Sequence, residues 1–69
     1  MQVPIKTEFI RLDALLKLTG ALATGGQAKV VIQGGQVLVN GAVCTMRGKK
    51  LRPGDAAEYD GERYEVTQG

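Results

Sequence analysis

Between Val3 and Phe9 the chain alternates, with Val3, Ile5, Thr7 and Phe9 on one side and Lys6 and Glu8 on the other. A period of two predicts a short half-buried strand or extended arm. Pro4 cannot donate a ladder hydrogen bond, which assigns that strand to a sheet edge. At Leu12 the period lengthens: Leu12, Leu15, Leu16 and Thr19 recur at helical spacing, and Gly20 supplies a left-handed stop. Asp13 in the first turn suits the helix dipole and forms a favourable i,i+4 pair with Lys17. A second helix is predicted from Thr24-Gly25-Gly26-Gln27, which has the form of a capping box. Ala28, Val31 and Ile32 make its inward stripe, Lys29 and Gln33 its outward one, and Gly34-Gly35 ends it.

Beyond the helices the pattern returns to short alternating runs. Val37-Leu38-Val39 and Ala42-Val43-Cys44 flank Asn40-Gly41, the strongest short signal for a type I′ hairpin turn. Arg47-Gly48-Lys49-Lys50 reads as an exposed basic loop and Pro53-Gly54-Asp55 as a turn. Ala56 to Tyr59 and Glu62 to Val66 flank Asp60-Gly61 as a second hairpin. Strand, helix, helix and four further strands make a small α+β domain with no crossover requirement, and 69 residues leave no room for a second domain.

Composition narrows the chemistry. The chain has no His, Ser or Trp and one Cys, which removes Ser-His and Cys-His nucleophiles, the common zinc sites and an internal disulfide. Neither cofactor nor metal is expected, and enzyme activity is not. Carboxylates such as Asp60 and Glu62 sit on a hairpin tip without the burial that tunes a catalytic acid. Cys44, inside a predicted strand, reads as a buried inert thiol. No apolar run approaches the ~20 residues of a membrane span, and the first ten residues lack a signal-peptide shape. A reduced, cytoplasmic, monomeric binding module is the expectation.

The formal charge of +2 hides a division. Residues 1–52 hold eight basic and two acidic side chains, whereas residues 53–69 hold one and five. Half of the eight basic groups fall within Arg47 to Arg52. Such a split allows a positive face suited to a polyanion, or a solvated loop balanced by the acidic hairpin. Two glycines opening a helix cost roughly 1 kcal/mol each against Ala. Either close helix packing or close approach of a phosphate to the free amides would retain them.

Taken in order, Arg11-Leu12-Asp13-x-x-Leu16, the second helix with Ala28 and Ile32 inward, Gly35 to Gly41 and the Pro-Gly-Asp turn resemble the αL RNA-binding motif. That motif was first described in ribosomal small-subunit protein four, and the resemblance covers about residues 8–66. Residues 24–29 and 47–55 are similar to the stand-alone bacterial subgroup called YaaA or YbcJ. The resemblance implies a helix–helix hairpin on a small, mainly antiparallel sheet. It also implies RNA binding, with folded ribosomal or transfer RNA as target and a role in ribosome assembly. Many members carry Ser-Arg where this chain has Gly25 and Gly26, so affinity falls to backbone amides and the other basic groups.

If RNA is the ligand, phosphates are expected at the amides of Gly25, Gly26 and Gln27, with Lys17 and Lys29 alongside. Arg47, Lys49, Lys50 and Arg52 supply the second half of the surface, and Arg11 and Gln33 are further candidates. Only Phe9, Tyr59 and Tyr64 are aromatic. Phe9 falls on an apolar face and the tyrosines in the acidic hairpin, so shape and backbone recognition is expected, not stacking on extended strands. Two other classes fit the size: a sulfur-carrier or ubiquitin-like protein, which would need a flexible terminal Gly-Gly, and a protein-interaction module, which would need a large exposed apolar patch.

Overall fold

A computed structural model describes all 69 residues. The leucines of the first helical stripe and the alternating valines of the strands meet in one core, which explains the architecture. The elements are β1 (Gln2–Ile5), β2 (Ile10–Arg11), α1 (Leu12–Leu18), α2 (Gly25–Gln33), β3 (Val37–Val39), β4 (Ala42–Val43), β5 (Lys50–Leu51), β6 (Ala56–Tyr59) and β7 (Glu62–Gln68). Leu12, Leu15 and Leu16 of α1 and Ala28 and Ile32 of α2 are fully buried. They pack with Val3, Ile5, Val37, Val39, Ala57, Tyr64 and Val66, so the helical hairpin covers one face of the sheet. Ordering so short a chain depends on this shared apolar burial, since helices of seven and nine residues are not stable alone.

The main sheet runs β1-β7-β6-β3-β4. Its internal pairs are antiparallel except β1 with β7, which is parallel, with Val3 opposite Val66. That pair corrects the expectation of a domain without a crossover: parallel strands need a crossover connection, and here the whole intervening chain supplies it. Pro4 is exposed on the edge strand, where the missing donor costs nothing. Both hairpins turn at the expected dipeptides, with φ of 51° and 84° at Asn40-Gly41 and 53° and 78° at Asp60-Gly61. Those positive values are what a type I′ turn requires.

The Asn-Gly and Pro-Gly-Asp turns are fastened to each other. Asn40 Nδ2 donates to Asp55 Oδ1 at 3.1 Å, the Ala56 amide donates to Asn40 Oδ1 at 3.0 Å, and the Arg52 amide donates to Asp55 Oδ2 at 2.8 Å. Asn40 is therefore more than a residue tolerant of positive φ. The Asp55 carboxyl lies below its ordinary pKa, first because of the Arg52 amide and then because of Asn40, with Lys49 and Arg52 adding positive field.

Three sequence expectations need correction. The first strand ends at Ile5, so Thr7 is exposed and Phe9 half-buried outside it. Cys44 follows β4 and is half-buried, its Sγ donating to the Met46 carbonyl at 3.7 Å. A second, two-stranded ladder pairs Ile10 with Leu51 and Arg11 with Lys50. That ladder was not expected, and it positions the basic loop.

Candidate nucleic-acid interface

The basic loop is fixed from both sides. Leu51 is fully buried in the core, and the β2–β5 ladder holds Lys50 beside Arg11. The loop carbonyls then serve the start of α1: the Leu12 amide donates to Lys49 O at 2.8 Å and the Asp13 amide to Arg47 O at 3.1 Å. Arg11 at the N-cap offers no side-chain acceptor, so the loop's backbone satisfies donors that a Ser or Asp cap would otherwise take. The loop that carries the cations is thus also the cap of the first helix.

Asp13 lies at the centre of this joint. Its Oδ2 is 3.2 Å from Arg11 Nη2 and 3.8 Å from Arg47 Nε, and its side chain is mostly buried at 17% exposure. The expected Asp13–Lys17 pair does not form, because two guanidiniums take the carboxylate and leave the Lys17 ammonium without an ion pair. Arg11 also runs along Gly48, where a Cβ would stand 3.6 Å from its Nη2. The Lys50 ammonium sits 4.8 Å from the centre of the Phe9 ring, a cation–π contact that covers the half-exposed aromatic.

On the other side of Asp13 lies the opening of α2. Arg11, Asp13, Ala14, Lys17 and Gly25 line one shallow depression. Thr24 caps the helix by accepting the Gln27 amide at 3.1 Å, and Gln27 Oε1 accepts from the Ala23 amide at 3.0 Å. That arrangement removes the Gln27 amide and side chain from the expected set. The amides of Gly25 and Gly26 have no partner within the protein and stand at the positive end of the helix dipole. A Cβ at Gly25 would meet only Lys17 Cδ at 3.9 Å, and one at Gly26 only Thr24 Oγ1 at 3.8 Å. Both are ordinary contacts, so close packing does not explain the glycine pair.

Of the sequence candidates, Arg11, Lys17, Gly25, Gly26, Arg47, Lys49 and Lys50 are therefore linked by contact or adjacency. Lys29 is exposed one turn into α2. Arg52 is exposed and, like Lys49, lies in the field of Asp55 without forming an ion pair. Gln33 lies at the far end of α2, about 12 Å along the axis from Gly25 by helical rise. Asp13 was missed as an organiser of the cluster, because its guanidinium partner Arg47 is remote in sequence.

A second depression is acidic. Asp60 and Glu62 flank Tyr59 and the buried Tyr64, whose phenol burial pushes above its ordinary pKa, with Glu62 adding to the shift. The Gly69 amide donates to Ile5 O at 2.8 Å, beyond the last paired residue of β7.

A helical hairpin laid across one face of a small sheet, with cations gathered where the first helix meets the later loop, defines an αL-type α+β module. The chain matches the S4 domain family over residues 3–67 and belongs to that family. It is 41% identical over 59 residues to RlbA of Bacillus subtilis (strain 168), named a probable ribosome maturation protein, covering 86% of this chain and 83% of that one. It is 39% identical over 62 residues to YbcJ of Escherichia coli (strain K12), covering 90% and 89%. The solution structure of YbcJ from E. coli, described as revealing an αL motif involved in RNA-binding, superposes with a TM-score of 0.70 at 36% identity. That match covers 97% of this chain and 84% of that one.

Proposed function

We propose that this chain is a non-catalytic RNA-binding protein that recognises folded RNA, ribosomal or transfer-like, by its backbone and shape. The observation that carries the reading is the joint at Asp13. It draws Arg11 of the first helix's N-cap and Arg47 of the later loop together, beside the depression shared by Lys17 and Gly25. Lys17, Lys49 and Lys50 are unpaired with acids, and two helix-opening amides are free, so the surface offers both charge and directed donors to phosphates. Arg52 and Lys29 extend it. Gln27 acts as a cap, and Gln33, exposed at the far end of α2, is a peripheral candidate. The single half-exposed aromatic on this side is already covered by Lys50, which favours backbone over base-stacking recognition.

The name of the Bacillus subtilis relative supports a more specific reading, in which the bound RNA belongs to an assembling ribosomal particle; a cytoplasmic monomer is part of the same proposal. Ultraviolet crosslinking in cells, followed by sequencing of the attached RNA, tests it. Enrichment of structured ribosomal or transfer RNA is the expected result. Recovery of RNA no greater than from an unrelated acidic protein would overturn the proposal.

A further inference from the structure

Beside the basic loop, a half-open cavity of about 340 Å³ is lined by Val39, Val43, Cys44, Thr45, Met46 and Lys49, among others. Building on the RNA-binding reading above, we infer that this cavity receives one unpaired nucleobase extruded from the bound RNA while Lys49 holds the adjoining phosphate.

Four observations support that occupant. Val43 and Met46 are 60% and 66% exposed, and unlike the similarly exposed Leu18 and Val30 they share one cavity with a lysine. Lys49 lines the cavity itself and has no ion pair, though it lies in the field of Asp55, so an occupant that joins an apolar body to a negative charge matches the lining. A nucleotide has that composition. The Thr45 and Met46 amides have no partner within the protein, and neither does the Thr45 hydroxyl, so donors for a base edge lie at the wall. The volume stands at the low end for ligand sites, which suits one planar group and no run of bases. The lining also follows from the fold. β4 is the outer strand of the sheet and stops after Val43; the Cys44 amide still donates to Val37 O at 3.0 Å, and Thr45 and Met46 then lead on to the basic loop.

The test uses the full chain and two RNA hairpins of equal charge, one fully paired and one with a single bulged nucleotide, measured by fluorescence anisotropy at fixed salt. Wild type should bind the bulged hairpin about tenfold or more tightly. Met46→Ala and Val43→Asn both change exposed side chains without altering charge. Both should bring the bulged hairpin close to the paired value and leave the paired value unchanged. Equal affinity of wild type for the two hairpins overturns the inference and leaves backbone recognition standing, as does a bulge preference that survives both substitutions. Binding to neither hairpin nor to extracted ribosomal RNA overturns the RNA reading and this inference with it. A concentration-dependent dimer that Val43→Asn abolishes would instead assign the cavity and strand edge to a second copy.

Discussion

At Gly25 the side chain is absent where the fold has room for one. A Cβ there would make only an ordinary contact with Lys17, so placing an aspartate at this position tests charge more than packing. On the proposed reading Gly25→Asp puts a carboxylate where a phosphate meets the helix opening. RNA affinity is expected to fall about fivefold to tenfold, consistent with roughly 1 kcal/mol for a charge at a helix terminus. Anisotropy titration checks it, with unchanged circular dichroism as the control. Normal binding by a folded variant would reduce the opening to a structural role. Asp55 gives a second residue-scale prediction. Its folded pKa is depressed, so its stabilising contribution is present above the unfolded value of about 3.9 and disappears as pH falls through the lower folded value. The urea midpoint of wild type should drop on acidification across that window. Asp55→Asn should be less stable at neutral pH and show a shallower drop, and an identical acid profile would count against the Asn40–Asp55 clip.

At the scale of elements, β5 and the loop before it combine two functions: the carbonyls of Arg47 and Lys49 cap α1, and the side chains of the same segment supply cations. The caps use backbone atoms only, so charge reversal of Lys49 and Lys50 should leave the fold in place. Lys50→Glu forfeits its contact with Phe9, worth about 0.5–1 kcal/mol at an exposed site. Lys49→Glu with Lys50→Glu is therefore expected to lower stability slightly while weakening RNA binding about thirtyfold or more at 0.1 M salt, since two counterion-releasing contacts become repulsive. An unchanged isotherm would remove the loop from the interface. This element also marks what a sequence can disclose. Both helices, both Asn/Asp-Gly hairpins and the buried leucines were legible, because each is signalled within a few neighbouring residues. The β2–β5 ladder was not, since two-residue strands carry no period and its partners lie some forty residues apart. Asp13 was paired with Lys17 for the same reason: local spacing is visible, whereas the approach of Arg47 depends on tertiary structure. The members of the candidate surface were readable from charge and helix-start chemistry, and their junction was not.

For the whole molecule, the division of charge along the sequence is kept only in part, since Asp55 lies in the field of Lys49 and Arg52 and Asp13 lies within the cationic seam. Asp60 and Glu62 line one depression with Tyr59 and the buried Tyr64, and Arg11 and Lys17 line another with no member in common. A net charge of +2 therefore understates the field that a polyanion meets on approach. If five or six phosphates are neutralised, log affinity should fall against log salt with a slope of about −4 to −5. A salt titration of wild type reads that slope directly, and a value near −1 would be incompatible with the extended cationic surface.

The parallel pairing of β1 with β7 has a consequence in time. Gln2 must find Glu65 and Val3 must find Val66, so these contacts carry the largest loop-closure entropy in the molecule, while the β6–β7 hairpin and the helical pair form from near neighbours. Folding is therefore expected to finish with the capture of the first strand by an already assembled nucleus. In the native protein, that strand's amides should be among the earliest of the sheet to exchange with deuterated solvent.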